Sequence, residues 1–256
     1  MARRLLRRSA AWVQKHVLPW AVFLGAWQGL SWVFPVPSAT RILTLAAVDL
    51  WDPRIASALA GSLGRMGIGF AVVTVLGISL GLMIGRIRLL GDILGTLASA
   101  LNAMPGAAWV PLAIFLFGLS QRAVVFTIIL GATGIVMQNT SSGVQEVPSL
   151  FLRAARTMGA RGMKIFWYVI VPAAAPRILD GLRLAWAFGW RALMAGELLI
   201  NTVHGMGQLI SEVSKQRDME QLLAYMVIIA LVGMVVDGLL FNRLLGDRIR
   251  ARWGTA

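Results

Sequence analysis

Long apolar blocks recur along this chain, and they constrain its fold more than any other feature. A helix needs roughly 20 mainly apolar residues to cross a bilayer. Six blocks approach or exceed this length, at residues 17–34, 62–85, 89–119, 123–143, 179–200 and 222–245. With 58% hydrophobic and only 14% charged residues, a soluble domain of this length would lack a polar surface. We therefore predict an all-α polytopic membrane protein with a lone N-terminal helix followed by a five-helix core.

The positions of the basic residues predict the orientation. Of the 24 Lys and Arg, five fall on outer connections and three, Arg65, Arg183 and Arg191, inside the predicted spans, whereas the other sixteen fall on inner segments, with Arg243 counted there because it lies at the inner end of its span. Such an excess is typical of cytoplasmic segments. Both termini are therefore expected in the cytoplasm, and the net charge of +13 reflects membrane topology rather than nucleic-acid binding.

The predicted organisation has three parts. Residues 1–54 form a cytoplasmic N-terminus, the first span and an outer loop, residues 55–245 form the core, and residues 246–256 form a cytoplasmic tail. A loop at 146–176 lies within the core. The basic N-terminus also fits a signal peptide cleaved near Ala39, although a retained first helix explains the block equally well.

Recognisable catalytic chemistry is absent from the sequence. No stretch matches the nucleotide-binding GxxxxGK[ST] pattern or the zinc-binding HExxH pattern, and there is no cysteine. His16 and His204 are isolated, with no carboxylate–histidine pair beside a nucleophile. We predict no catalytic residue, no metal ligand and no cofactor in this chain, so an intramembrane enzyme is the weakest interpretation.

A basic segment interrupts the apolar pattern: RAARTMGARGMKIFWYVIVP, residues 153–172. Just before and within it, apolar residues recur at three- and four-residue spacing, which predicts a short amphipathic helix ended by Gly159 and Gly162. One interpretation is a helix lying on anionic lipid. The other is a docking helix for a cytoplasmic protein, which the small alanine-rich face favours. The residues of this apolar face are Leu150, Phe151, Ala154, Ala155 and Met158.

This segment resembles the EAA loop of ABC-importer permeases of the binding-protein-dependent, type I family. The motif is EAAxxxG, then about nine residues, then I-x-LP, and Ala154, Ala155, Gly159, Ile170 and Pro172 fall into register. The resemblance continues through MPGAAWVPLAIFLFGL (104–119), AGELL (195–199) and GMGQLI (205–210). It covers the chain from about Ile55 onward and is closest to the subfamily that imports sulfonates, taurine, nitrate and similar small anions.

The resemblance implies a non-catalytic permease subunit in the bacterial cytoplasmic (inner) membrane. Its expected partners are two ABC ATPase subunits that bind ATP and Mg²⁺, a periplasmic solute-binding protein, and a second permease, either an identical copy or a related chain. ATP binding would drive alternating access through a coupling helix in the 150–172 loop. The implied ATPase-coupling residues are Arg153, Ala154, Ala155, Arg156, Met158, Gly159 and Pro172.

One position departs from the motif, because Arg153 stands where the family has glutamate. We expect the ATPase to present an acid near Arg153, or Arg153 to turn away from it. If Arg153→Glu couples normally, this position contributes little to pairing.

Three residues are candidates for the translocation path: Trp109, Arg191 and Glu197. Charges within spans are costly unless they pair or face water. Arg191 and Glu197 are about 120° apart around a helix, so each either pairs with another helix or lines the path. Trp109 lies in the Pro105–Pro111 break, where a packed kink is the alternative.

Asp180 and Arg183 are spaced for a local ion pair. Gln138 to Thr140 are interpreted as the cytoplasmic end of the fourth span.

A secondary transporter or channel, which would need no ATPase, is the alternative function. It is disfavoured because no inverted repeat is visible and because the basic loop would then lack a purpose.

Overall fold

The computed structural model describes residues 18–246, and these residues are helical with connecting turns and no strand. The predicted basic N-terminus and the tail from residue 247 lie outside the described residues. The elements are α1 (Leu18–Val33), α2 (Ala39–Asp49), α3 (Pro53–Arg86), α4 (Arg88–Ala103), a 3-10 turn (Gly106–Trp109), α5 (Val110–Phe117), α6 (Gln121–Gln145), α7 (Ser149–Thr157), α8 (Met163–Ile200), α9 (Met206–Gln216) and α10 (Met219–Val236), which continues as a π-helix (Asp237–Gly246).

The all-α membrane class predicted from the sequence is confirmed. In the described part of the chain, the helices α3, α6, α8 and α10 are long and apolar enough to span a bilayer, and a bent pair adds a fifth span if it crosses as one unit. The predicted first span corresponds to α1, which has 16 residues, none of them fully buried. With the bent pair counted as one span, the described residues beyond α1 have the five spans of the predicted core.

The third predicted span is sharply bent. Its two arms, Gly91–Ala103 and Gly106–Phe117, meet at 101°. Pro105 lies at the break itself, whereas Pro111 lies in the first turn of α5, where a missing N–H costs no helical hydrogen bond. Of the two prolines predicted to break the span, only Pro105 therefore does so.

Three glycines of α3 allow this helix to pack closely against α6 at the centre of the fold. A Cβ atom added to Gly77, Gly81 or Gly85 would lie 2.5–2.7 Å from the Cβ atoms of Val136, Thr140 and Val144 respectively. These residues form four-residue ridges on both helices, so the backbones approach closely, as predicted from the spacing of the three glycines.

The fifth predicted span starts earlier than expected. The helix α8 already begins at Met163, and the turn at Phe166–Ile170 is π-helical. Pro172 and Pro176, expected in the 146–176 loop, lie inside this helix. Wide π turns accommodate interruptions of the hydrogen-bond ladder, so the helix passes both prolines. The irregular part of the predicted loop ends at Gly162.

The predicted outer connections form a packed cap. Ile42 and Ala46 of α2 and Leu209 of α9 join one buried cluster with Ile228 of α10. At its rim Arg41 pairs with Glu220 at 2.8 Å and Arg54 with Glu212 at 2.6 Å. Two of the five basic residues on the predicted outer connections therefore have direct ion-pair partners.

Candidate functional site

An open cavity of about 300 Å³ lies beside the Pro105 break. The end of α4, the middle of α6 and the middle of α8 form its walls. The lining residues are Asn102, Met104, Pro105, Gly131, Ile135, Gln138, Asn139, Leu184 and Phe188. We call this cavity the groove.

The groove carries a chain of polar side chains. The Asn102 Nδ2 donates to Gln138 Oε1 at 2.7 Å, and Gln138 Nε2 donates to Ser99 Oγ at 3.0 Å. All three residues are exposed, although α6 is a membrane span. Because lipid cannot satisfy amide groups, such a surface needs water or another protein against it. The expectation that Gln138 to Thr140 form the end of the fourth span is wrong, since α6 continues to Gln145.

Small residues bring the walls of the groove together. A Cβ at Gly106 would lie 2.7 Å from the Cβ of Ala192, and one at Gly134 would lie 2.6 Å from the Oδ1 of Asn102. The α5 arm, α6 and α8 can therefore pack closely enough for their polar groups to share one cavity.

Arg191 is exposed next to the groove. Its guanidinium lies 4.7 Å from the ring centroid of Phe188, which lines the groove. A cation over an aromatic face is stabilised by the ring quadrupole. Arg191 also lines a larger apolar cavity of about 430 Å³ between α8 and α10. Its placement is compatible with the predicted role on a solute path.

Trp109, another predicted path residue, does not line the groove. Its side chain is half-buried, and its indole nitrogen is enclosed without an acceptor among the described residues. It lies in the 3-10 turn, which packs against α6 and α8. This arrangement corresponds to the alternative of a packed kink.

Glu197 is fully buried, so its predicted place on an open path is wrong. Arg65 of α3 donates to Glu197 Oε1 from Nε at 3.0 Å and from Nη2 at 2.6 Å. The hydroxyl of Ser62 also donates to the carboxylate, at 2.8 Å, and the peptide N–H of Gly207 donates to Oε2 at 2.9 Å. The carboxylate is thus satisfied by the chain itself.

The glycines of the outer loop make room for this ion pair. A Cβ at Gly205 would lie 2.4 Å from Arg65 Nη2 and 2.5 Å from Glu197 Oε2. Arg65 also donates to the carbonyl of His204 at 2.7 Å. The pair therefore joins the outer parts of α3 and α8 to the 201–206 connection. We call this group the outer anchor: Ser62, Arg65, Glu197, Gly205 and Gly207.

A second ion pair differs from the predicted one. Arg183 of α8 binds Asp237, after α10, with both nitrogens of its fork, at 2.6 and 2.5 Å. Bidentate pairing satisfies the planar guanidinium better than a single contact with Asp180 on the same helix would. The ion pair therefore connects two spans rather than stabilising one.

Outside the spans, Asp49 at the end of α2 has a perturbed carboxyl group. Partial burial raises its pKa above the ordinary value, and the nearby Asp52 charge adds to this, whereas a hydrogen bond from Gln221 opposes it. The Nε2 of Gln221 donates to Asp49 Oδ2 at 2.5 Å. This contact links the outer cap to α10.

At the other end of the molecule, α7 separates two faces. The predicted apolar face included Ala155, but Ala155 is buried against the chain. Leu150, Phe151 and Met158 are exposed by 62%, 45% and 80%, respectively. At about 100° per residue they share one side of α7, together with the exposed Ala154. An uncovered apolar strip therefore runs along this helix, and we call it the cytoplasmic face because the sequence predicts this end of the molecule to be cytoplasmic.

The remaining predicted coupling residues surround this face. Arg153 and Arg156 are both exposed, and Arg156 also lines an open cavity with Arg86. Gly159 ends the helix at φ +85°, a left-handed conformation that glycine adopts without strain. Pro172 lies farther along, within α8.

Comparison with known proteins places this architecture in a family. The sequence profile described as "Binding-protein-dependent transport system inner membrane component" matches residues 73–251. The chain belongs to this permease family. Its profile covers α6, α7 and α8, which carry the groove and the cytoplasmic face, so the resemblance predicted from the EAA-like loop is confirmed.

Relatives within this permease family carry transport names. A putative ABC transporter permease protein of Methanocaldococcus jannaschii is 37% identical over 69% of this chain and 66% of its own length. The bicarbonate transport system permease protein of Synechococcus elongatus is 32% identical over 69% of this chain and 63% of its own. The taurine transport system permease protein of Escherichia coli is 28% identical over 77% and 72%. The chain therefore spans just under two thirds of the length of the first two relatives.

A solved permease shares the fold. The crystal structure of an amino acid ABC transporter with histidines aligns with 80% of this chain and 97% of its own at a TM-score of 0.63 and 19% identity. At this identity the likeness concerns the fold alone, and it agrees with the all-α membrane class.

Proposed function

We propose that this chain is the permease subunit of an ATP-driven importer for a small anionic solute such as a sulfonate, taurine, nitrate or bicarbonate. The observation that carries the proposal is the uncovered cytoplasmic face between two membrane helices of a permease-family chain. An exposed apolar strip of this kind is stabilised when a partner covers it.

The partner is an ATPase subunit that binds ATP and Mg²⁺. In this proposal its surface covers Leu150, Phe151 and Met158, and its closure moves α7. Because α7 is connected to α8 through the short turn at 158–162, displacement of α7 is transmitted to the walls of the groove. The permease itself hydrolyses nothing.

Solute passes through the groove in this proposal, and a second copy of the chain covers it. The support is the row of exposed amides on α4 and α6, which would be unsatisfied in lipid. Two copies would provide two cytoplasmic faces for two ATPase subunits. A periplasmic solute-binding protein delivers the solute, the membrane is the bacterial inner membrane, and both termini are cytoplasmic.

The solute class follows from charge and from the named relatives. Arg191 next to the groove attracts anions, and bicarbonate and taurine are the solutes in the names of two relatives. Bicarbonate is an oxyanion and taurine carries a sulfonate group. Both therefore present oxygen atoms that a guanidinium can bind.

The test is uptake of labelled taurine, nitrate and bicarbonate into proteoliposomes that contain the full chain, its candidate ATPase and its binding protein. We expect uptake that requires ATP and is lost in Met158→Glu, which places a charge on the cytoplasmic face. Met158→Leu keeps the face apolar and should retain uptake. Uptake without the ATPase would overturn the proposal in favour of a secondary transporter, and normal coupling of Met158→Glu would remove the role of α7.

A further inference from the structure

Three arginines converge on a separate cavity at the cytoplasmic end of α3. Arg86, Arg156 and Arg161 line an open cavity of about 420 Å³, together with Leu152, Ile165 and Ile170. The arginines come from the end of α3, the inward side of α7 and the turn between α7 and α8. We call this cavity the arginine cavity; it lies on the opposite side of α7 from the cytoplasmic face.

The backbone brings the three arginines, whose side chains are all exposed, to this cavity. Arg86 stacks over Phe166 with its guanidinium carbon 4.9 Å from the ring centroid. Arg156 is two turns into α7, on the same side as the buried Ala155. Arg161 lies between Gly159 and Gly162, both with positive φ, which set the tight turn that brings it to the cavity.

Within the described residues, these three arginines have no carboxylate partner. At the same end of the molecule, Arg177 pairs with Glu146 at 2.9 Å. In addition, the peptide N–H groups of Arg161 and Gly162 donate to no acceptor among those residues. Like charges that share a cavity repel one another, so a bound anion would relieve the repulsion.

The residues around the cavity are of the kind found at the level of lipid headgroups. Trp167 and Tyr168, in the π turn beside it, are exposed by 55% and 81%. Amphipathic aromatic side chains concentrate at the boundary between headgroups and acyl chains. The floor of the cavity is formed by Leu152, Ile165 and Ile170, which are apolar. A phosphate above an apolar floor matches the chemistry of a phospholipid, and basic pockets between helices on the cytoplasmic side bind such headgroups.

We infer that the arginine cavity binds a phosphate-type oxyanion, held by Arg86, Arg156 and Arg161. The source is the headgroup of an anionic phospholipid or free phosphate from the cytoplasm. Either one ties α7 to the end of α3, because the guanidinium groups that hold it belong to both. This binding needs neither an ATPase nor a transported solute, so it goes beyond the proposed transport function and can be tested without it.

The experiment measures oxyanion binding by the purified full chain without an ATPase. In one arm the chain is placed in nanodiscs of phosphatidylcholine with or without phosphatidylglycerol, and native mass spectrometry counts the retained phosphatidylglycerol. In the other arm, inorganic phosphate replaces chloride at constant ionic strength in the phosphatidylcholine discs, and the thermal midpoint is recorded. The variants are Arg156→Gln, Arg86→Gln and the control Lys164→Gln, which removes the same charge from a residue that does not line the cavity.

We expect wild type and Lys164→Gln to bind equally. Hydrogen bonds to charged groups contribute enough that loss of one guanidinium should weaken binding at least about tenfold in Arg156→Gln and in Arg86→Gln. Selective loss of retained phosphatidylglycerol identifies the lipid as the source. Selective loss of the phosphate-dependent midpoint shift identifies the free anion.

Two results would overturn the inference. The first is an equal effect of Lys164→Gln, because general surface charge would then explain the binding. The second is no binding in either arm while Arg156→Gln impairs only assembly with the ATPase, which would assign the cavity to an acidic residue of that subunit. The circular dichroism of each variant is compared with wild type, so that a folding failure is recognised separately.

Discussion

At the scale of single residues, Glu197 in the outer anchor carries the one buried carboxylate among residues 18–246. It is fully buried, and Arg65 is only 6% exposed. Removing one member of a buried ion pair leaves the other charge uncompensated, which costs about 3–5 kcal/mol. The geometry therefore predicts strong coupling between the two positions.

We expect Arg65→Met to lower the thermal midpoint sharply, and Glu197→Gln to lower it less, because the amide oxygen still accepts from Gly207. In the double variant the losses should fall short of their sum by about 0.5–3 kcal/mol. Thermal unfolding of the four proteins in nanodiscs measures this coupling. Additive losses would show that the two side chains do not depend on each other.

The raised pKa of Asp49 predicts a pH dependence. An acid whose pKa is higher in the folded chain binds its proton more tightly there, so folding stability rises as the pH falls through the folded pKa towards the ordinary value. The Asp49→Asn variant has no carboxyl group to titrate at this position, so this contribution to the pH dependence is absent. We expect the variant to be at least as stable as wild type at neutral pH, and wild type to gain relative to it on acidification. A difference that is constant with pH, measured by thermal midpoints, would contradict this.

Arg191 allows a test of solute charge. Arg191→Gln should reduce the uptake of an anionic solute at subsaturating concentration by about tenfold, since electrostatic attraction raises encounter rates by 10–10³. Arg191→Lys keeps the charge and should restore most of the uptake. ATPase stimulation by the binding protein should persist in both variants. Equal uptake by Gln and Lys variants would exclude an electrostatic role.

The sequence predicts some ion-pair partners of these residues but not others. Helical spacing excludes a pair between Arg191 and Glu197, and this holds in the structure. The actual partner of Glu197 is 132 residues away, so no local pattern could identify it. The same applies to Asp237, whose bidentate contact with Arg183 displaces the local pair that spacing favours.

At the scale of elements, the contact between α3 and α6 depends on the absence of side chains. A Cβ at Gly81 would lie 2.7 Å from the carbonyl oxygen of Met137, which is backbone and cannot rotate away. We expect Gly81→Ala to destabilise the fold by about 1–3 kcal/mol, as overpacking does. Gly67→Ala is the matched control on the same helix, because its Cβ would meet nothing within 4 Å.

Thermal midpoints in nanodiscs separate the two variants. A midpoint of Gly81→Ala that matches Gly67→Ala would show that the helices can separate without cost. Circular dichroism at low temperature should be unchanged in both, since alanine favours helix over glycine.

Element positions are largely readable from the sequence, because apolar blocks and helix lengths are governed by the same bilayer. The effect of individual prolines is less readable. Pro111 lies in the first turn of α5 and Pro172 lies just after the π turn inside α8, and both are tolerated, whereas Pro105 coincides with a bend of 101°. Whether a proline bends the helix depends on whether the preceding turn already lacks the hydrogen bond that the proline cannot make. Packing against other helices decides this.

At the scale of the whole molecule, the groove predicts a contact between two copies. The chain contains no cysteine, so single-cysteine variants need no altered background. We expect Phe188→Cys to form a covalent dimer with a short thiol cross-linker in the assembled importer. Val75→Cys is the control, since Val75 is 65% exposed on the side of α3 away from α6.

Gel mobility after cross-linking measures the result, and ATP should change the yield at residue 188 if the groove opens and closes. Equal yields at residues 188 and 75 would place the groove against lipid. The groove itself was not predictable from the sequence, because its walls come from three helices whose approach is set by Gly106, Gly131 and Gly134.

The outer anchor has a mechanical consequence. It fixes α8 near Glu197, while the helix continues to Met163, 34 residues and about 51 Å away. If α8 pivots at this fulcrum, a tilt of about 10° swings the cytoplasmic end by about 9 Å, but displaces Phe188, nine residues from the fulcrum, by only about 2 Å. In the proposed importer, the long arm of this lever would end at the ATPase and the short arm would carry the groove. A large movement of the ATPase would then produce a small movement of the groove walls, with a correspondingly larger force.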